Sequence, residues 1–306
     1  MNVVICALTY QRPDGLTQLL RGLALLTFRE ARPDIRVVVV DNDPAASGRP
    51  TCEACRSAFP WPLDYVVEPQ PGIAPARNAA LAHLGDADWI AFIDDDEVPE
   101  PQWLAELIRV QREYQADVVA GPVLSHFPDP IPKWVLDGRF FDHRRYPTGH
   151  PLKHAFTNNV LFRRRILEDL QLRFDPRWAL IGGEDRHFFQ RIAMAGYRIV
   201  WADEAIATEW VPARRSTVAW LIQRHYRAGN ATSLIERDLR PIWRVLPVQL
   251  VKGLVWWIIG LGLLATSAVR GKVAAIRALR SLAYGTGLLT GLLGMEYQEY
   301  RRQKAV

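Results

Sequence analysis

Trp89-Ile90-Ala91-Phe92-Ile93-Asp94-Asp95-Asp96-Glu97 sets the reading of this chain. Five apolar residues, mostly β-branched or aromatic, read as a buried strand. Four acids follow without a spacer. A strand ending in adjacent carboxylates concentrates like charge, which is unfavourable unless a cation offsets it. Carboxylate oxygens suit hard divalent cations such as Mg²⁺ or Mn²⁺, and Mg²⁺ commonly takes one or two protein carboxylates plus phosphate oxygens and water. The cluster therefore reads as a metal–diphosphate site. A solvated acidic turn, or a cap for the next helix, is the alternative.

Upstream, two patterns alternate. Val3–Leu8 is a short apolar run, and residues 14–28 place Leu16, Leu19, Leu20, Leu23 and Leu26 at helical spacing. Ile35–Val40 is β-branched and stops at Asp41-Asn42-Asp43-Pro44, a turn signal. Asp64–Val67 reads as a strand and residues 73–84 as a helix. Downstream, Pro101–Tyr114 reads as a helix and Asp117–Val123 as a further strand. Such alternation predicts βαβ crossovers and a mostly parallel sheet flanked by helices, an α/β fold. Ligands of such sheets bind outside the carboxyl ends of the strands. Thr9-Tyr10-Gln11-Arg12, Asp41-Asn42-Asp43 and Asp94-Asp95-Asp96 all fall at those ends.

Residues 125–155, rich in Pro, His and aromatics, read as a long ordered loop or lid, which in a compact domain is usually functional. Asn159–Phe162 reads as a strand, 163–171 as a helix, Tyr197–Ala202 as a strand and 216–237 as a basic amphipathic helix. Gly182-Gly183-Glu184-Asp185 opens a helix over about 185–195. A helix N-terminus favours a carboxylate, so this pair offers a general base for an acceptor hydroxyl, with plain capping as the alternative. Arg77, on the helix after Pro71-Gly72, suits a nucleotide or its phosphates as a rigid, always-charged donor. A surface salt bridge is its other reading.

From Leu246 the character changes. Gly253–Val269 runs 17 residues without a charge, below the roughly 20 of a spanning helix. Arg270-Gly271-Lys272 interrupts it, and Ser281–Met295 is a second, Gly-rich apolar stretch of 15 residues. Two short apolar helices joined by a basic turn predict a monotopic hairpin or an interfacial pair. A two-span hairpin and a pair of buried core helices are the competing readings. Residues 240–306 hold ten Lys/Arg and two Glu, so the tail carries +8 and the remainder −3. A basic, apolar tail on a mildly acidic body predicts attachment to anionic lipid. It argues against a nucleic-acid binder, whose positive charge sits on the folded body. Three cysteines, Cys6, Cys52 and Cys55, do not make a disulfide scaffold. Cys52 and Cys55 have the spacing of half a zinc site, without the second pair zinc needs, and read more simply as loop thiols. The chain opens on a strand-like run with no secretory pattern, so the catalytic part is expected in the cytosol.

Five ordered strings carry a resemblance: Ala7–Pro13 (ALTYQRP), Val40–Asp43 (VDND), Pro71–Asn78 (PGIAPARN), Phe92–Glu97 (FIDDDE) and Gly182–Asp185 (GGED). Over about residues 1–235 the chain resembles glycosyltransferase family 2, with its GT-A fold. Within the family it looks similar to bacterial exopolysaccharide glucosyltransferases of the succinoglycan type, through Gly121-Pro122-Val123, Thr157-Asn158-Asn159 and Leu292-Leu293-Gly294. The resemblance implies that Thr9, Tyr10, Arg12, Asp41, Arg77, Asn78, Asp94 and Asp95 hold a nucleotide sugar, with Asp41 facing the base. Asp94 and Asp96 form the DxD metal element, Asp96 being the direct ligand of Mg²⁺ or Mn²⁺. Asp185 is the inverting general base and Glu184 the alternative. Two positions depart from the family pattern: His187 stands where Glu-Asp-x-Asp has its last acid, and Thr208-Glu209 where relatives often carry His-Glu. Arg214, Arg215, Arg224 and Arg227 read either as steering a diphosphate or anionic lipid or as a solvated basic face.

The expected function is transfer of a hexose, glucose first, from a UDP-sugar to a polyprenyl-diphosphate-linked saccharide at the cytoplasmic face of the bacterial inner membrane. A GDP- or dTDP-sugar donor in O-antigen or protein glycosylation is a second reading, and a non-catalytic nucleotide-sugar-binding partner a third. The expected layout is a catalytic domain over 1–240, divided into a nucleotide-sugar half (1–123) and an acceptor and base half (124–240), then a membrane-associating tail over 241–306.

Overall fold

The computed structural model describes residues 1–298; the tail charges at Glu299, Arg301, Arg302 and Lys304 lie outside the described residues. In chain order the elements are β1 (Asn2–Thr9), α1 (Pro13–Ala24), β2 (Asp34–Asp41), α2 (Arg49–Arg56), β3 (Leu63–Val67), α3 (Ile73–Ala82), β4 (Trp89–Ile93), β5 (Glu97–Pro99), α4 (Trp103–Tyr114), β6 (Val118–Ala120) and β7 (Val123–His126). They continue as α5 (Lys133–Gly138), β8 (Asn159–Arg163), α6 (Arg165–Asp169), α7 (Glu184–Met194), β9 (Ile199–Trp201), β10 (Ala207–Trp210), α8 (Val218–Leu239) and α9 (Ile242–Leu292). Two compact units result. The first comprises Met1–His126, His143–Ala179 and Glu184–Trp210, and the second Phe127–Asp142, Leu180–Gly183 and the chain from Val211 on. Helix α8, expected with the sheet, is thus grouped with the tail helices.

The first unit is built on a sheet of order β3-β2-β1-β4-β8-β6-β9. Every pairing is parallel except those of β8, which runs antiparallel to β4 and β6. Strands that are apolar on both faces demand cover on both sides. Val3, Ile5, Val37, Val39, Ala91 and Ile93 pack one way, against the leucines of α1 and Trp103, Leu104 and Leu107 of α4. Val4, Cys6, Val38, Val40, Ile90 and Phe92 pack the other way, against the alanines of α3 and Phe188 and Phe189 of α7. The strand expected over Asp117–Val123 is two strands. At Gly121-Pro122 the chain leaves the large sheet, and β7 joins a smaller one of order β5-β10-β7. The stretch expected as one long loop over 125–155 contains α5 and an antiparallel bridge from Pro151 to Val200. Cys52 lies on α2, not in a loop; burial pushes its thiol, like that of Cys6, up to about 12, which disfavours the thiolate a metal needs.

In the second unit, Thr217 caps α8 by accepting from the Trp220 N–H at 3.2 Å. Helix α9 is two arms broken at Gly271, whose φ of 77° and ψ of −171° no helix tolerates and glycine adopts without steric cost. Gly253 lies against Leu289 and Gly260 against Leu282, so the register descends along one arm as it rises along the other. The arms form an antiparallel hairpin, turning at the basic Arg270-Gly271-Lys272. Trp257 donates to Thr286 Oγ1 at 3.2 Å, and Trp256 packs on Tyr284. The second arm also packs against α8 backbone to backbone. A Cβ on Gly287 would stand 2.1 Å from the Tyr226 carbonyl oxygen. Buried Asn230 ties the pair by donating to Thr290 Oγ1 and the Met295 carbonyl.

Candidate active site

The acid run turns after β4, and its members differ in burial. Asp95 turns inward and is 5% exposed, and its oxygens accept from Thr9 Oγ1 at 2.8 Å and Arg12 Nη1 at 3.0 Å. The same Arg12 nitrogen reaches Asp96 at 3.1 Å. One guanidinium after β1 therefore bridges two of the three acids, and Thr9, Arg12, Asp95 and Asp96 form a connected group. Tyr10, next to them in sequence, is partly exposed.

Asp94 is the hub. Burial pushes its carboxyl up to about 7; Arg77 opposes that, while Asp96, Asp95 and Asp185 add to it. Residues from α3, the end of β4 and the start of α7 thus act electrostatically on one carboxylate. Burial likewise raises Asp95 to about 6 against the pull of Arg12, and Glu97 well above the ordinary carboxylate range, with Asp94, Asp96 and Glu209 adding to it. Arg77 is itself buried and donates to the buried carboxylate of Glu184. Burial and Asp185 raise Glu184, and Arg77 opposes them. Asp185, at the first turn of α7, is only partly buried; its Oδ1 accepts from the Arg186 N–H at 2.6 Å. Of the two acids offered as a base, Glu184 is engaged by an arginine and Asp185 remains at the partly open edge.

Two further residues are taken up by the fold itself. Asp41 is fully buried; Oδ1 accepts from the Asp43 N–H, and Oδ2 from the Gly48 N–H and the Tyr65 hydroxyl. It shapes the turn after β2. Asn78 exchanges two hydrogen bonds with the backbone of Phe174, at 2.8 and 3.0 Å, and clamps that segment to α3.

The acid edge has a pairing the sequence did not reveal. Glu97 pairs in register with Glu209 across β5 and β10, and the Trp210 N–H donates to the Asp96 carbonyl at 2.8 Å. Trp210 packs on His126 with ring centroids 5.1 Å apart. Thr208-Glu209, where the family pattern has His-Glu, thus lies on the strand beside the acid run. Trp178 stacks on His187 at 5.3 Å.

Among the described residues no group of three or more His, Cys, Asp or Glu forms a ready-made metal cage. A hard cation completed by phosphate oxygens needs only one or two carboxylates. Asp94 and Asp96 fit that demand: both offer oxygen donors, and a divalent cation would offset the burial and like-charge crowding that raise Asp94.

The sheet order, the acid edge after β4 and the α7 carboxylates together define a GT-A glycosyltransferase. The sequence profile of glycosyl transferase family 2 matches residues 3–171, and that of glycosyl transferase family group 2 matches residues 89–295. The chain belongs to glycosyl transferase family 2. It is 33% identical over 309 residues to the succinoglycan biosynthesis protein ExoM of Rhizobium meliloti (strain 1021), covering 98% of this chain and 96% of that protein. Among solved structures it is similar to the mannosyltransferase PcManGT from Pyrobaculum calidifontis in complex with GDP-Man and Mn²⁺. The TM-score is 0.65 at 20% identity, over 95% of this chain and 86% of that one. It is also similar to S. aureus TarS 1–349 in complex with UDP, with a TM-score of 0.55 at 17% identity over 97% and 93%. The chain spans 55% of a longer TarS structure.

Proposed function

We propose that this chain is an inverting hexosyltransferase that moves a sugar from a UDP-sugar to a lipid-linked saccharide during exopolysaccharide assembly. The reading is carried by the Arg12 bridge between Asp95 and Asp96 at the end of β4 and the Arg77–Glu184 pair next to Asp185, with Arg77, Asp96 and Asp185 all acting on Asp94. Residues 1–123 supply the donor-binding half, with Thr9, Tyr10, Arg12, Arg77 and Asp95 nearest the acid edge, Asn78 clamping α3 and Asp41 shaping the turn that faces the base. Residues 124–240 supply the base. Asp185 takes the proton of the acceptor hydroxyl, whose oxygen bonds to the anomeric carbon as the bond from that carbon to the diphosphate breaks. One in-line displacement inverts the anomeric centre, and the electron pair leaves with UDP. Asp94 and Asp96 would hold a divalent cation, which when bound would neutralise charge on the diphosphate. Arg12 and Arg77 add fixed positive charge.

The membrane half of the proposal rests on the first arm of the hairpin. Trp256, Ile258 and Leu261 are 38%, 70% and 52% exposed on the apolar first arm of α9. The second arm is packed within its own unit, which favours a hairpin lying in the cytoplasmic leaflet of the inner membrane over two lipid-bathed spans. Residues 241–306 are then the membrane-associating tail of the catalytic body.

A donor screen tests the activity: purified protein with UDP-, GDP- and dTDP-hexoses, with Mg²⁺ or Mn²⁺, reading nucleoside diphosphate release. Release from a UDP-hexose that falls about 10³-fold in Asp185→Asn is expected of a lost general base. Preference for a GDP-sugar supports the alternative donor, as in the PcManGT complex. Unchanged polymer production in cells carrying Asp185→Asn identifies a non-catalytic partner.

A further inference from the structure

The second unit gathers cations of its own onto an aromatic floor. Arg280, on the second arm, lies over Phe140 at 4.8 Å, and Lys272, beside the turn, over Trp134 at 5.3 Å. Trp134 packs on Phe140. From α8, Arg224 lies over Trp220 at 5.0 Å, and Trp220 stacks on Phe141 at 5.6 Å. Arg277 joins from one helical turn before Arg280 and donates to the Gly138 carbonyl at 3.4 Å. Cations seated on aromatic faces keep their charge while shedding part of their water.

A histidine fixes the centre of this cluster. His225 Nδ1 lies 2.8 Å from the Leu221 carbonyl, a contact that requires the proton on Nδ1. Nε2 then accepts from Arg280 Nε at 2.9 Å and stands 2.5 Å from Nη2. Burial, then Arg280 and Arg224, hold the ring near a pKa of about 4, so it is a neutral acceptor that orients a guanidinium without offsetting its charge.

We propose that the Arg224–Arg277–Arg280 cluster is a binding site for the phosphate headgroup of a membrane lipid. The inference rests on the membrane reading of the hairpin. A guanidinium presents paired donors that match phosphate oxygens. The cations stand on and beside the same hairpin that exposes the apolar face, the arrangement that holds an anionic headgroup at an interface. Two lipids carry that chemistry: the diphosphate of a polyprenyl-linked saccharide and a bulk anionic phospholipid.

The test uses the full-length protein and three sets of vesicles: phosphatidylcholine alone, the same lipid with phosphatidylglycerol, and the same lipid with a polyprenyl diphosphate. Arg277→Gln and Arg280→Gln are each expected to weaken binding to phosphate-charged vesicles about fivefold, with binding to neutral vesicles unchanged. A loss confined to polyprenyl diphosphate identifies the lipid carrier, and a loss on phosphatidylglycerol as well identifies bulk lipid. Arg280→Lys, which keeps charge without the two-pronged geometry, is expected to lose the carrier-specific part only. Exposed Arg277 serves if Arg280→Gln does not fold. Variants that titrate like the wild type on both charged vesicles overturn the site alone. A wild type that binds no vesicle overturns the membrane reading and the site with it.

Discussion

The acid edge of the first unit and the arginine cluster of the second are opposite answers to one electrostatic question. Both bring like charges together out of bulk water, which is unfavourable unless an opposite charge is supplied. At the acid edge the fold supplies two arginines, Arg12 and Arg77, yet Asp94 still sits near 7 because burial and three neighbouring acids outweigh them. In the cluster it supplies aromatic faces and a neutral histidine, which orient cations without neutralising them. Asp94 is thus raised by its surroundings despite Arg77, and Arg280 is met by a ring that carries no negative charge. A charge held in a buried pair serves the fold first, whereas a charge met by burial or a neutral ring is the better candidate for a ligand. Glu184 is held in a buried pair by Arg77, whereas Asp94 and Arg280 are met by burial, like charge or a neutral ring.

Breaking the neutralised pair should have the largest effect. Arg77→Ala leaves Glu184 buried without its arginine, beside Asp185. Loss of one partner of a buried pair costs about 3–5 kcal/mol, read as a fall in the denaturation midpoint. The double variant Arg77→Met with Glu184→Leu should regain most of that stability while remaining inactive in diphosphate release. A single variant that unfolds within 1 kcal/mol of wild type, on the order of an exposed pair, would show that Arg77 and Glu184 are not a structural pin.

A smaller effect is expected on the outer face of the hairpin. Deleting residues 246–306 is a poor test, because it also strips α8 of the arm that meets Tyr226 and Asn230. Ile258→Asp, at a position 70% exposed, leaves packing within the unit intact. An acid in the apolar phase costs up to about 3 kcal/mol, so the fraction sedimenting with membranes should fall with little change in thermal stability. Equal sedimentation of variant and wild type would place that face in water.

These two regions also differ in how far the sequence discloses them. Strand β4 was legible to the residue, because Trp89–Ile93 is an apolar run cut off by acids and its order is local. The hairpin was legible for the same reason: Arg270-Gly271-Lys272 separates two apolar runs. Glu97 and Glu209 were not, since strands of three and four residues carry too little pattern to announce a pairing across more than a hundred positions. Asp41 and Asn78 were legible as polar residues at strand and helix ends, but their partners, Gly48, Tyr65 and Phe174, are fixed only by packing. The arginine cluster was half visible. Arg224 stood out on a basic helix, whereas its companions on the second arm and their aromatic floor come from three separate stretches: 134–141, Trp220 and 272–280.

The smallest effect tests whether the cluster is oriented by a neutral ring. His225 has a folded pKa of about 4, below its ordinary value of 6.5, through burial and the two neighbouring arginines. Between those values the unfolded chain binds the proton and the folded chain resists it, so stability rises with pH across that window and falls as the solution is acidified through it. Between pH 7 and pH 5 the loss should be at most about 2 kcal/mol. Thermal unfolding of the detergent-solubilised protein at the two pH values measures it. Replacing the ring by a group that does not titrate, His225→Gln, should flatten that part of the profile, because its amide also offers a donor to the Leu221 carbonyl and an acceptor to Arg280. A profile as steep in the variant as in the wild type would mean that the acid-sensitive group lies elsewhere. The contrast between a partly compensated cation and a pinned one would then have to be drawn without His225.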